Sequence, residues 1–433
     1  MQSNGRGPRR ATYCFVHAAE LLLDVPVRGI PLTPEPLRTT VRDAALHAWH
    51  SLVELTIERD AEFLVLSGGL FGATPTLRSC VALRDGLERL RAHGIDVFIA
   101  LGADDAGAVS YLPWMAAGTT VFAGDGISVG YVMRDGRCLA ALRGTGAEPD
   151  EAWRLARDLR PLGMGLDICV LPTPAAGSAR LWDLDQAGSA FAYWALGGSP
   201  PPSLAAPTAR RPPEGPWVVC PGTPQGRGLE TSQVGAKGCV LVEVEDGQIV
   251  GVAPVAVDHL RFLSLEIDVS RCADGAAIRR RLARELQDAI EDAAPRALVA
   301  EAVLRGRLVG GIARDRITLE TELLAELRED ARVAAEDAPN GAFGTAASWW
   351  VRVRDHTGRD DRPGARLPWD LRRILIEHGE ALSAPLPGSR FLAQTFAPLL
   401  RQWGAETDLA AQRELVRAAA ALALDEICAG DRR

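Results

Sequence analysis

The chain has 433 residues, 47% of them hydrophobic and 24% charged, with a formal net charge of −8. That length allows two or three domains around a large core, and the balance is ordinary for a soluble globular protein. The net acidity argues against a stand-alone nucleic-acid binder, which normally carries a basic excess, and the absence of an 18-residue apolar run argues against a membrane span.

In chain order, MQSNGRGPRR is basic, and ATYCFVHAAELLLD is broken by His17 and Glu20 before a signal-peptide core could form. Residues 1–11 therefore read as a disordered leader running into a buried first strand. Phe15–His17 and Phe63–Leu66 are strand candidates, and Pro36 to Ile57 carries Leu37, Val41, Ala45, Ala48, Leu52 and Leu55 at helical spacing. A second helix spans Leu77 to Ala92 and closes at Gly94 before a strand over Asp96–Leu101. This alternation predicts a layered α/β fold with its site on the loops at strand ends.

Pro200 to Pro216 reads as a long surface loop, because strand residues Trp217–Cys220 resume at once. From about Leu263 a strand (LSLEIDV), a helix (Ala276–Ala293) and a strand (Ala297–Leu304) suggest a small α+β domain. A polar stretch near Glu329 to Gly344 leads to SWWVRVRD and helical segments over Trp369–His378, Ser389–Trp403 and Leu409–Cys428. The expected divisions are a leader 1–11, a main α/β domain 12–260, a small domain 261–330, a linker 331–364 and a helical region 365–433.

Eight cysteines stand singly with no C-x-x-C, as reduced core cysteines of a cytoplasmic protein would, and this argues against a zinc site. Arg279, Arg280, Arg281 and Arg284 sit at helical spacing, either as a solvated face or as a DNA phosphate-contacting patch. Leu415, Val416, Ala419, Leu422 and Ile427 form an apolar stripe on the last helix, with Thr407 or Asp408 available as N-cap. That stripe packs either on its own chain or on a partner.

Five stretches carry the functional signal: FVHAAELLLD (Phe15 to Asp24), LSGGLF (Leu66 to Phe71), LGADD (Leu101 to Asp105), VLPT (Val170 to Thr173) and YWALGGSP (Tyr193 to Pro200). Their order and spacing resemble a calcineurin-like metallophosphoesterase, and most closely the bacterial double-strand-break repair exonucleases of the SbcD and YhaO type. In that family the stretches read D-x-H, G-D, G-N-H-D, H-T and G-H-x-H. Cys220 to Ile249, CPGTPQGRGLETSQVGAKGCVLVEVEDGQI, also resembles the family's P-G-x-x-Q-x-R…E-x-G-x-K-G segment, which completes a sheet.

The resemblance implies a metallophosphoesterase-like layered α/β sandwich with a small α+β capping domain and a helical C-terminal region. Carried onto this chain, the family's first Asp falls at Glu20 and its His at Leu22. The bridging Asp falls at Gly69, the Asn and catalytic His at Ala103 and Asp104, and the later His ligands at Pro172, Gly198 and Pro200. A two-metal phosphodiesterase needs a bridging carboxylate and a full inner shell for each ion, and Gly69 cannot bridge. Losing the His and Asn donors removes the mixed shell that Mn²⁺ prefers. No catalytic residue, metal or other cofactor is therefore expected.

The leading expectation is a catalytically inactive, nuclease-like subunit that scaffolds a DNA-processing complex with an SMC-like coiled-coil ATPase, in DNA repair or in defence against foreign DNA. The ATPase would bind the helical C-terminal region through Leu415, Val416, Leu422 and Ile427. DNA would be met through the complex, and a homodimer is one arrangement open to it. An alternative is a weak phosphodiesterase whose Glu20, Asp24, Asp104 and Asp105 hold a single Mg²⁺ or Mn²⁺ with waters. A third expectation is a stand-alone regulatory binding protein.

Overall fold

The computed structural model describes residues 12–30, 35–72, 75–122, 124, 126–146, 159–172, 191–198, 208–210, 215–308, 316–336 and 348–359. The leader 1–11, Pro200 and the helical region 365–433 with its apolar stripe lie outside the described residues.

The strands begin with β1 (Thr12–Ala19), β2 (Phe63–Ser67), β3 (Asp96–Ala100) and β4 (Thr120–Phe122), followed by β5 (Ser128–Arg134) and β6 (Arg137–Gly144). They continue with β7 (Leu166–Leu171), β8 (Tyr193–Leu196), β9 (Thr208–Arg210), β10 (Trp217–Cys220), β11 (Gly238–Glu245) and β12 (Gln248–Ala256). The first sheet has the order β12-β11-β1-β2-β3-β4, with β1 to β4 parallel and β11 and β12 added antiparallel. The second runs β5-β6-β7-β8-β10-β9, its four inner strands parallel and its two edges antiparallel.

The inner strands read as unbroken apolar runs because both of their faces are covered. Along β1, alternate side chains divide between two cores. Phe15 joins Phe63, Phe98, Ile168, Tyr193 and Val219 between the sheets, while Val16 and Ala18 join a cluster with Trp49, Leu52, Leu83, Leu87 and Leu90. Phe15 stacks on its cross-strand partner Phe63 at 4.6 Å and meets Tyr193 of the other sheet edge-on at 5.3 Å. Each such ring buried contributes about 1.5–3 kcal/mol.

The helical cover of the first sheet is α1 (Glu35–Glu58) and α2 (Leu77–Ala92). Thr76 caps α2 in a reciprocal box with Ser79. The two helices approach closely at Gly86, where a Cβ would stand 2.6 Å from the Trp49 ring.

The chain divides into two compact units. The first comprises Met1–Leu265, Glu285–Glu301 and Leu327–Arg352 and contains both six-stranded sheets; the second comprises Glu266–Arg284, Ala302–Glu326 and Val353–Arg433. The remaining strands are β13 (Leu260–Asp268), β14 (Ala297–Arg305), β15 (Arg307–Leu308), β16 (Ser348–Asp355) and β17 (Gly358–Arg359), in sheets β13-β14-β16 and β15-β17. Within the second unit the Glu266 carboxylate pairs with Arg305 at 2.7 Å and the Val269 amide donates to the Arg305 carbonyl.

All five motifs stand at the ends of β1, β2, β3, β7 and β8, as the alternation predicts. Three stretches differ from expectation. The helix Arg316–Glu336 runs on into the polar segment, since polar residues suit a helix with one face buried, and Leu319, Leu323 and Leu327 supply that face. Within the range expected as a linker, 331–364, Ser348–Asp355 forms β16, in which Trp350, Val351 and Val353 are buried. The Pro-rich connection also holds β9, which can pair with β10 because it is an edge strand.

The seven described cysteines are free, and among the described residues no helix is long and apolar enough to cross a membrane.

Candidate functional site: a glycine-floored cleft at the strand ends

The loops leaving β1, β2, β3, β7 and β8 converge. The first turns sharply after Ala19, with Glu20 and Leu22 both left-handed at φ +49° and +48°. Such a conformation is costly for residues with a side chain and persists only where the surroundings over-determine it. Here the Leu22 amide donates to the Gly69 carbonyl at 3.1 Å and the Leu23 amide to the Leu70 carbonyl at 3.0 Å. The buried Arg227 guanidinium donates through Nη2 to the Leu21 and Leu22 carbonyls at 2.7 and 3.1 Å. Its Nη1 donates to Thr223 Oγ1 at 2.6 Å and the Gln225 carbonyl at 2.7 Å, while Nε finds no acceptor among the described residues. Burial lowers the Arg227 pKa to about 10 against the favourable charge of Glu20.

The Glu20 carboxylate lies between the two sheets' strand ends. Its Oε1 accepts from the Gly198 amide at 2.9 Å, and the Gly69 backbone stands near enough to favour the charged carboxylate. Desolvation raises its pKa to about 7, opposed by these two amides and by Arg227 and reinforced by Asp105.

Glycines floor the cleft. A Cβ on Gly68 would strike the Pro172 carbonyl and Glu20, and one on Gly197 would strike the Pro172 carbonyl. A Cβ on Gly69 would stand 2.7 Å from Leu22 Cδ2 and 3.0 Å from Glu20 Oε2. The space a side chain at position 69 would need is filled by residues 20 and 22.

Two other carboxylates on the motifs, Asp105 and Asp24, are already engaged. Asp105, fully buried, accepts from the amides of Leu70 at 2.9 Å, Phe71 at 3.0 Å and Gly102 at 2.9 Å. Asp24 accepts from the hydroxyls of Thr76 at 2.7 Å and Ser79 at 2.6 Å, tying the β1 loop to the start of α2. Ala103 and Asp104 open a 3₁₀ helix, Ala103–Tyr111, and their side chains lie outside the described residues.

Below the floor, fully buried His17 links the sheets: its Nε2 lies 2.7 Å from Ser67 Oγ and its Nδ1 3.0 Å from the Tyr193 hydroxyl. Burial lowers its pKa to about 3, so it is neutral.

The donors present do not fit a two-metal centre. Leu22, Gly69, Pro172 and Gly198 offer no side-chain ligand, and among the described residues no three His, Cys, Asp or Glu side chains converge on one point. The basic run stands on the helix Gly275–Ala293, where Arg279 pairs with Glu326 at 3.4 Å and Arg281 donates to the Asp268 carbonyl at 2.9 Å.

Sequence reading did not single out Arg227 or the His17–Ser67–Tyr193 bridge as parts of the site. The signal for Arg227 was its place as the Arg of P-G-x-x-Q-x-R. In that segment Gln225 Oε1 also accepts from the His259 amide at 2.9 Å, so the run acts as an internal brace.

Over 246 residues the chain is 27% identical to an uncharacterized metallophosphoesterase, YhaO, of Bacillus subtilis (strain 168). The chain is related to the metallophosphoesterases. The match covers 54% of this metallophosphoesterase-like chain and 58% of that relative's length, less than two thirds of it. No family model matches. Two solved structures align at 12% identity over 57% of this chain: GAP50, the anchor in the inner membrane complex of Plasmodium (TM-score 0.32, 89% of that chain), and TT1561 of Thermus thermophilus (TM-score 0.31, 100% of that chain). Both scores are too low to define a relation.

Proposed function

We propose that this metallophosphoesterase-like chain is a non-catalytic, nuclease-like subunit that scaffolds a DNA-processing complex with an SMC-like coiled-coil ATPase, in repair or in defence against foreign DNA. The observation that carries this reading is position 69. The place of the bridging carboxylate is a glycine whose side-chain space is taken by Leu22 and Glu20, inside a frame whose five motifs keep their order at the strand ends. A fold kept while its metal-facing side chains are replaced is what retention for assembly, without hydrolysis, would produce.

The single-metal alternative needs Glu20, Asp24, Asp104 and Asp105 as ligands. Asp24 and Asp105 instead accept hydrogen bonds from hydroxyl and amide donors of the frame.

The test is co-purification of the full chain with a coiled-coil ATPase encoded by a neighbouring gene. The expected result is a stable complex that is lost when Val416 and Leu422 are both changed to Asp, with the melting transition unchanged. Loss of that transition would assign the stripe to the chain's own core, and failure of the unaltered chain to bind would count against the scaffold.

A further inference from the structure

We infer that Glu20 and Leu22 form a built-in plug of the strand-end cleft, the Glu20 carboxylate acting as an internal ligand for the Gly69 and Gly198 amides and Leu22 filling the space beside Gly69. The inference rests on the proposed loss of the metal centre and deepens it: the cleft is closed by the chain itself.

Three observations converge on it. First, the amides that meet Glu20 belong to loops after β2 and β8, one in each six-stranded sheet, so a single carboxylate ties the two sheet ends together. Second, Leu22 Cδ2 and Glu20 Oε2 stand 2.7 and 3.0 Å from where a residue-69 Cβ would be, so a side chain at 69 would have to displace the present side chains at 20 and 22. Third, the turn that presents both residues is left-handed at each and is held by the Gly69 carbonyl and Arg227. The strain is thus confined to the residues that make the plug.

Gly69 itself is not left-handed, so the penalty for a side chain there reports contact and not backbone conformation. The test is a double-mutant cycle on the full chain, comparing melting temperatures of Leu22→Ala, Gly69→Ala and the pair. The plug predicts that Gly69→Ala lowers the midpoint by several degrees alone and by much less in the Leu22→Ala background. Additive losses would overturn it.

A second readout bears on Glu20. Hydrogen exchange of the peptide ending at Gly198 is expected to quicken in Glu20→Ala and to be partly protected again in Glu20→Gln, which keeps one acceptor oxygen. Unchanged exchange in Glu20→Ala would overturn the carboxylate's role. Failure of the underlying reading has a separate signature: a melting midpoint of the unaltered chain that rises with Mn²⁺, a rise abolished by Glu20→Ala, would identify Glu20 as a metal ligand.

Discussion

Two sets of positions on the same five loops have fared differently. Asp24 and Asp105 keep carboxylates, and each is engaged by donors of the frame: the α2 cap for one, the amides of Leu70, Phe71 and Gly102 for the other. Positions 22, 69, 172 and 198, on those same loops, carry Leu, Gly, Pro and Gly. The difference teaches that the carboxylates holding the loops and the side chains facing the cleft are separable. Removing Asp105 leaves the amides of Leu70, Phe71 and Gly102 without the acceptor they share, and removing Asp24 frees the hydroxyls of Thr76 and Ser79.

The comparison breaks most visibly at Asp105. Asp105→Ala strands buried amides, each costing ~1–3 kcal/mol, so a loss of about 3 kcal/mol or more is expected in urea denaturation. A loss under about 1 kcal/mol would place Asp105 outside the frame.

Arg227→Met comes next. It removes the donors from the Leu21 and Leu22 carbonyls and leaves Glu20 without its nearby positive charge, for an expected loss of about 2–4 kcal/mol. Asp24→Ala should cost less, about 0.5–2 kcal/mol, as the loss of a partly exposed cap does.

pH sharpens the contrast between floor and frame. His17 is buried neutral with a pKa lowered from 6.5 to about 3, so the unfolded chain takes up its proton first. Its contribution is complete above pH 6.5 and is lost as pH falls from there toward 3. Glu20 has the opposite sign: its pKa rises from 4.5 to about 7, so the native chain holds the proton more tightly and its desolvation cost appears as pH rises through that window. Denaturation midpoints of His17→Gln should therefore fall less on acidification than those of the unaltered chain, and Glu20→Gln should remove a decline between those two pKa values. A His17→Gln variant with the same acid limb would show that the imidazole is not buried neutral.

The helices and strands were legible in the sequence where their patterns are local. The helix Leu77–Ala92 was bounded correctly by its apolar spacing and by Gly94. The strand ends were marked by motif residues, and β2 and β3 read as strands because both of their faces are covered. Two hairpins carry the signal for a two-residue turn, Asp135-Gly136 and Asp246-Gly247, with both residues of each pair at positive φ.

The closed state of the cleft was not legible. The Glu20 contact with the Gly198 amide spans 178 residues and the Arg227 contact with the Leu22 carbonyl spans 205, distances over which periodicity carries no information. The resemblance implied ligand positions at residues 22, 69, 172 and 198, and only the three-dimensional contacts show what stands beside position 69.

The central claim, that the cleft does not hold the family's metal pair, is tested most directly by elemental analysis of the purified full-length chain after incubation with Mn²⁺ and removal of free ions. The account predicts no stoichiometric metal, and no nuclease activity on linear or hairpin DNA before or after Asp104→Ala. A tightly held pair of ions in each chain, with Mn²⁺-dependent cleavage abolished by Asp104→Ala, would contradict it.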